Sequence, residues 1–77
     1  MKKKKRYWLA ERRFAAGFKS SRSFAQHIGL SPSYYYEIEN GVKNPGGRAA
    51  FLIAEALEFD MSIFYAQNVH LERTSKA

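Results

Sequence analysis

The sequence has no cysteine, only two prolines, and no apolar run near the ~20 residues that a membrane-spanning helix requires. Without cysteine there are no disulfides and no thiolate metal sites, which suits a reducing cytoplasm. Strand signals are equally scarce: no stretch sustains period-two alternation, and β-branched residues are few. The opening MKKKKR is basic like the head of a secretory signal, but Glu11, Arg12 and Arg13 interrupt the apolar segment that should follow. His27 and His70 lack partners at metal-ligand spacing, so no metal site is expected. Tyr34, Tyr35 and Tyr36 stand in a row among Ser, Pro, Glu and Ile. A tyrosine nucleophile would need basic groups to stabilise its transition state, and none accompanies them. No enzyme activity, cofactor or small-molecule ligand is expected.

What remains is a folded domain with a lopsided charge. The 77 residues suffice for one domain, and 45% hydrophobic with 26% charged residues is a globular composition. The formal net charge is +6. Lys2, Lys3, Lys4, Lys5, Arg6, Arg12, Arg13, Lys19 and Arg22 crowd the first third, opposed there only by Glu11, and the remainder is slightly acidic. Such asymmetry points to a polyanionic partner, a nucleic acid or an acidic membrane surface. Residues 1–6 therefore read as a basic arm, 7–66 as the domain, and 67–77 as a tail without clear period. The competing readings of the arm are a solubilising tail, or a membrane-surface anchor with Tyr7, Trp8 and Leu9 inserted behind the lysines.

Helix punctuation recurs along the domain. A first helix is expected from about Arg6 to Ala16, with Leu9, Ala10, Phe14 and Ala16 as its apolar stripe and Gly17 as its stop. Ser20 caps a second helix, SRSFAQHI, with Phe24, Ala25 and Ile28 inward and Gly29 at its end. Ser31 caps a third, Pro32 takes its first position, and Gly41 closes it. A fourth runs from about Gly47 to Leu57 with Ala50, Phe51, Ile53, Ala54 and Leu57 inward, and Asp60 caps a short fifth carrying Ile63, Phe64 and Tyr65. The expected fold is all-α, a compact five-helix bundle. Its second and third helices, joined by a short turn through Gly29, form a helix-turn-helix.

The stretch FAQHIGLSPSYYYEIENGVKNP, followed by IAEALEFDMSIFY, resembles the Cro/lambda-repressor-like (XRE) helix-turn-helix family. The shared features are Ala-x-x-x-Gly at the turn, the capping Ser, the Ile-Glu-Asn-Gly close with Asn-Pro after it, and Ala-x-x-Leu in the fourth helix. The resemblance spans Leu9 to Tyr65 and implies a double-stranded DNA-binding regulator, of phage or prophage repressor type, acting as a homodimer. It implies that Glu39 is buried and paired with Arg13. It sets the third helix, 32–40, in the major groove, with Pro32, Ser33, Tyr36 and Glu37 against bases. Tyr35 then takes the buried position and Tyr34 a flank.

Ser21, Arg22 and Ser31, with Tyr34, Asn40, Lys43 and Asn44, are the expected phosphate contacts. Lys2, Lys3, Lys4, Lys5 and Arg6 are expected to follow the DNA as an arm. The chain departs from its relatives at Pro32 and Glu37, where many carry Gln or Arg, and at Gly47, which should loosen the start of the fourth helix. Pro32 can offer only apolar contact, and Glu37 repels phosphate but can accept from cytosine N4. Glu37 is also the chief argument for the alternative, an interaction adaptor whose third helix meets a protein.

Overall fold

A computed structural model describes residues 5–65. Lys2, Lys3 and Lys4 of the expected arm, His70, and the expected tail 67–77 lie outside the described residues. Four α-helices follow one another, α1 Tyr7–Ala15, α2 Ser21–Ile28, α3 Pro32–Glu39 and α4 Gly47–Leu57, and then a 3-10 helix, Met61–Tyr65. The expected fifth α-helix is thus five residues of 3-10 turn. That length is too short to sustain an α-helix alone, and i→i+3 bonding is used in such short pieces.

The caps act where the sequence places them. Ser20 Oγ accepts the Ser23 N–H at 3.0 Å, and Ser31 Oγ accepts the Tyr34 N–H at 3.3 Å. Each satisfies a first-turn donor that has no partner within its helix. Asp60 Oδ1 likewise accepts the Ser62 N–H at 3.0 Å. Gly29 ends α2 at φ 84, a left-handed conformation that glycine adopts without steric cost. The end of α4 is different, because Glu58 takes φ 59 with no glycine available. Nothing in the residue pattern announces that strain.

The core gathers Leu9 from α1, Phe24 and Ala25 from α2, Tyr35 and Ile38 from α3, and Ala49, Ala50, Ile53 and Leu57 from α4, with Phe64. Phe24 meets Tyr35 edge to face at 5.2 Å, and Trp8 meets Phe59 at 5.4 Å, geometries that aromatic quadrupoles favour. Three residues expected on inward faces, Phe14, Ala16 and Phe51, turn outward instead. Phe14 and Phe51 are 60% and 54% exposed. On α4 the buried residues Ala49, Ala50, Ile53, Ala54 and Leu57 define a stripe, and at about 100° per residue Phe51 lies well off its centre. On α1 the inward positions are Leu9 and Arg13, one turn apart. Phe14 lies off that line, Ala16 is exposed beyond the helix, and Phe18, after the turn, packs on the core in their place.

An arginine faces inward because its partner is there. Arg13 Nε and Nη2 donate to the two carboxylate oxygens of Glu39 at 3.0 and 3.1 Å, and Nη1 donates to the Phe18 carbonyl at 2.8 Å. Both residues are buried. The fork-to-fork geometry is the strong form of the guanidinium–carboxylate contact. The hydrogen bond to Glu39 raises the Arg13 pKa further above its already high value. The Tyr35 hydroxyl is buried beside this pair without a partner in hydrogen-bond geometry. Burial first, and then the Glu39 carboxylate, push its pKa up.

Arg13→Ala strands the Glu39 carboxylate and is expected to cost ~3–5 kcal/mol, near the whole stability of so small a domain. Arg12→Ala removes only a guanidinium stacked 5.1 Å over Phe59, a contact worth about 0.5–1 kcal/mol at an exposed site. Thermal melts of the two variants check this, and equal losses would deny the pair its role.

Candidate nucleic-acid interface

Helices α2 and α3 pack closely around fully buried Ala25, where a larger side chain would push them apart. The Leu30 N–H donates to the Ala25 carbonyl at 2.9 Å, closing the turn between them. With Tyr35 and Ile38 committed to the core, α3 presents Ser33, Tyr36 and Glu37 on its opposite face. These stand at i, i+3 and i+4, so they share one side of the helix. Ser33 and Tyr36 are exposed, Glu37 is partly so, and Pro32 is half-buried at the first position.

The three tyrosines divide their tasks. Tyr35 is fully buried and Tyr36 is 59% exposed. Tyr34 packs against the edge of the core while its hydroxyl accepts the Gly46 N–H at 3.1 Å. That bond matters because α4 begins on Gly46 without a side-chain cap. The Tyr65 hydroxyl, donating to the Pro45 carbonyl at 3.2 Å, holds the same turn from the other side. Gly47 leaves the helix start intrinsically loose, and two tyrosine hydroxyls tether it. The Tyr34 oxygen keeps its own proton to donate outward.

Around α3 lie the other expected contacts. Ser21 is half-buried and Arg22 exposed at the start of α2, and Ser31 is exposed before α3. The Lys43 ammonium pairs with Glu37 Oε1 at 3.4 Å and lies 6.0 Å from the Tyr34 ring centre. Both members of that pair are solvent-exposed, so its energy is small, but it offsets the negative charge on the outward face. Asn40 closes the end of α3: its Nδ2 donates to the Tyr36 carbonyl at 2.8 Å and its backbone N–H reaches the same oxygen at 3.0 Å. The Gly41 N–H is also taken, by the Ile38 carbonyl at 3.2 Å. One amide hydrogen and one carbonyl oxygen of Asn40 are left to face outward.

Arg6 has contacts that the sequence pattern does not announce. It reads both as the last member of a basic run and as the start of the first helix; it is half-buried, and α1 begins on it as expected. Its guanidinium donates to the Ile38 and Lys43 carbonyls and to Asn44 Oδ1, and its backbone N–H donates to the Glu39 carbonyl at 2.8 Å. A cation at a helix N-terminus is disfavoured by the helix dipole unless it turns away from it. Among the described residues no three His, Asp or Glu side chains gather as a metal site. Among them, too, no helix is long and apolar enough to cross a membrane.

The fold and this geometry agree with the comparisons. The helix-turn-helix family model matches residues 10–64. The chain belongs to the XRE-type helix-turn-helix family. It is 35% identical over 60 residues to an uncharacterized HTH-type transcriptional regulator, YqaF of Bacillus subtilis (strain 168), covering 78% of each chain. No solved structure matches the chain significantly.

The division among the tyrosines is testable by stability alone. Tyr34→Phe leaves the Gly46 N–H without its acceptor and is expected to cost about 0.5–1.5 kcal/mol. Tyr36→Phe removes an exposed hydroxyl and should leave the urea midpoint unchanged. Equal midpoints for the two variants would show that Tyr34 does not tether α4.

Proposed function

We propose that this protein is a sequence-specific double-stranded DNA-binding transcriptional regulator that sets α3 in the major groove. The observation that carries the reading is the outward face of α3, where Ser33, Tyr36 and Glu37 are free of the core within a family-typical helix-turn-helix. The regulator named for Bacillus subtilis supports the same class. The finer reading is a small phage- or prophage-type repressor or Cro-like protein, cytoplasmic and homodimeric on its operator. The three outward residues meet base edges and Pro32 shapes the approach. Tyr34, Ser21, Arg22, Ser31, Asn40, Lys43 and Asn44 meet the backbone. The lysine run Lys2–Lys5 adds affinity without sequence preference.

Affinity and specificity separate experimentally. Deleting Lys2–Lys5 should weaken binding to every duplex and flatten the dependence of log K on log salt, because fewer counterions are released. An unchanged slope would remove the arm from the interface.

Selection from a random duplex pool tests the readout. An acid among phosphates is tolerable where it finds a donor, and cytosine N4 is the one the major groove offers. Glu37→Gln should change the preference at one base pair per half-site by about 1–3 kcal/mol of discrimination. It also releases Lys43 from its 3.4 Å pairing, which should raise affinity for all sequences. Identical selected sequences for both proteins would end the role of Glu37 in readout. No enriched sequence for either would instead favour the interaction adaptor.

A further inference from the structure

Arg6 begins α1 without a capping side chain, at the positive end of that helix's dipole. Its guanidinium turns to the opposite kind of site, the carbonyl-rich end of α3. Nη1 donates to the Ile38 carbonyl at 2.5 Å and the Lys43 carbonyl at 3.2 Å, and Nη2 donates to Asn44 Oδ1 at 2.8 Å. A half-buried guanidinium has to fill its donors, and this one joins the last turn of α3 to the loop that follows it.

The contact with Asn44 has a directional consequence. A guanidinium is always protonated and has no acceptor, so the carboxamide can meet it only through its oxygen. The Asn44 amide hydrogens therefore point away from Arg6. Asn44 is exposed, beside exposed Lys43, on the flank of α3. A cation on the oxygen also polarises the amide and makes its hydrogens better donors to an anion.

We infer that Arg6 is a positioning residue for DNA-backbone binding, orienting the Asn44 carboxamide so that its amide hydrogens meet a phosphate oxygen. This rests on the DNA reading above. It assigns Arg6 a role distinct from that of the lysines before it, which act by charge alone. It also ties the two parts of the grip together. Four residues extend no more than about 14 Å, so the lysine run starts from the same flank that Arg6 and Asn44 form.

The test is a double-mutant cycle on the full chain. Wild type, Arg6→Lys, Asn44→Ala and the double variant are titrated into a fluorescein-labelled mixed-sequence duplex at low salt, with a melting curve for each. Arg6→Lys keeps the charge but replaces a planar fork with a single nitrogen, which does not reproduce the spread of acceptors that Arg6 meets through both Nη1 and Nη2. Asn44→Ala should weaken wild-type binding by about tenfold. Arg6→Lys should weaken it similarly at unchanged net charge, and the double variant should bind no more weakly than either single one. Equal effects of Asn44→Ala in the two backgrounds would overturn the assignment, as would wild-type affinity in Arg6→Lys. Should Arg6→Lys melt non-cooperatively, the side-chain amide resonances of Asn44 in the wild type decide. They should shift on adding the duplex, and resonances unmoved at saturation would overturn the inference. If wild type leaves the duplex unbound, the DNA reading itself fails, which is a separate result from failed coupling.

Discussion

The architecture depends on one buried ion pair. Two desolvated charges are costly, and their attraction offsets that cost only when geometry and remaining hydrogen bonds are complete. Here they nearly are. Arg13 places two donors on Glu39 and a third on the Phe18 carbonyl, so a single side chain joins α1, the turn after it and the end of α3. Glu39 is the last residue of α3, so the pair sets the angle at which that helix leaves the body of the protein. Any loosening of Arg13 would be read out as a change in where Ser33, Tyr36 and Glu37 point.

The rest of the interior is arranged around that pair with little to spare. The Tyr35 hydroxyl lies in the same buried region without a hydrogen-bond partner, so its ring is there for packing on Phe24 and its oxygen is tolerated. A tyrosine at this position keeps a polar atom beside the Arg13–Glu39 charges where phenylalanine would leave only apolar surface. The aromatic cluster of Trp8, Phe59 and Phe64 then seals the other end of α1 against the 3-10 helix.

Much of this was legible in the sequence, and the reasons for success and failure are both local. Ser20, Ser31 and Asp60 marked helix starts because a short hydroxyl or carboxylate has one strong use there, and each is found bonded to a first-turn N–H. The Arg13–Glu39 pair was legible only through family resemblance, since two charges 26 residues apart carry no local signal. Phe14 and Phe51 carry the hydrophobicity of core residues, but their angular positions fall off the buried stripes of their helices. The fifth element is capped by Asp60 as expected but is 3-10, and a five-residue turn has no period to distinguish 3-10 from α. The bonds of Arg6 carry no local signal, because its carbonyl partners lie 32 and 37 residues further along the chain.

The outward face of α3 can stay uncommitted because its helix is held elsewhere. Eight residues make a marginal helix in water, so its order has to come from anchors. Ser31 and Pro32 secure its start, and Tyr35 and Ile38 secure its inner face. At its end two arginines converge from either end of the α1 segment, Arg13 on the Glu39 carboxylate and Arg6 on the Ile38 and Glu39 carbonyls. Positive charge is favourable there because the carbonyls of a last turn carry the negative end of the dipole. None of these anchors uses Ser33 or Tyr36, and Glu37 contributes its backbone carbonyl to the Val42 and Lys43 N–H groups and an exposed side chain to Lys43. Substitutions on that face can therefore alter what the helix meets without altering whether it forms. That separation lets Glu37, which departs from the family pattern, vary on an unchanged scaffold.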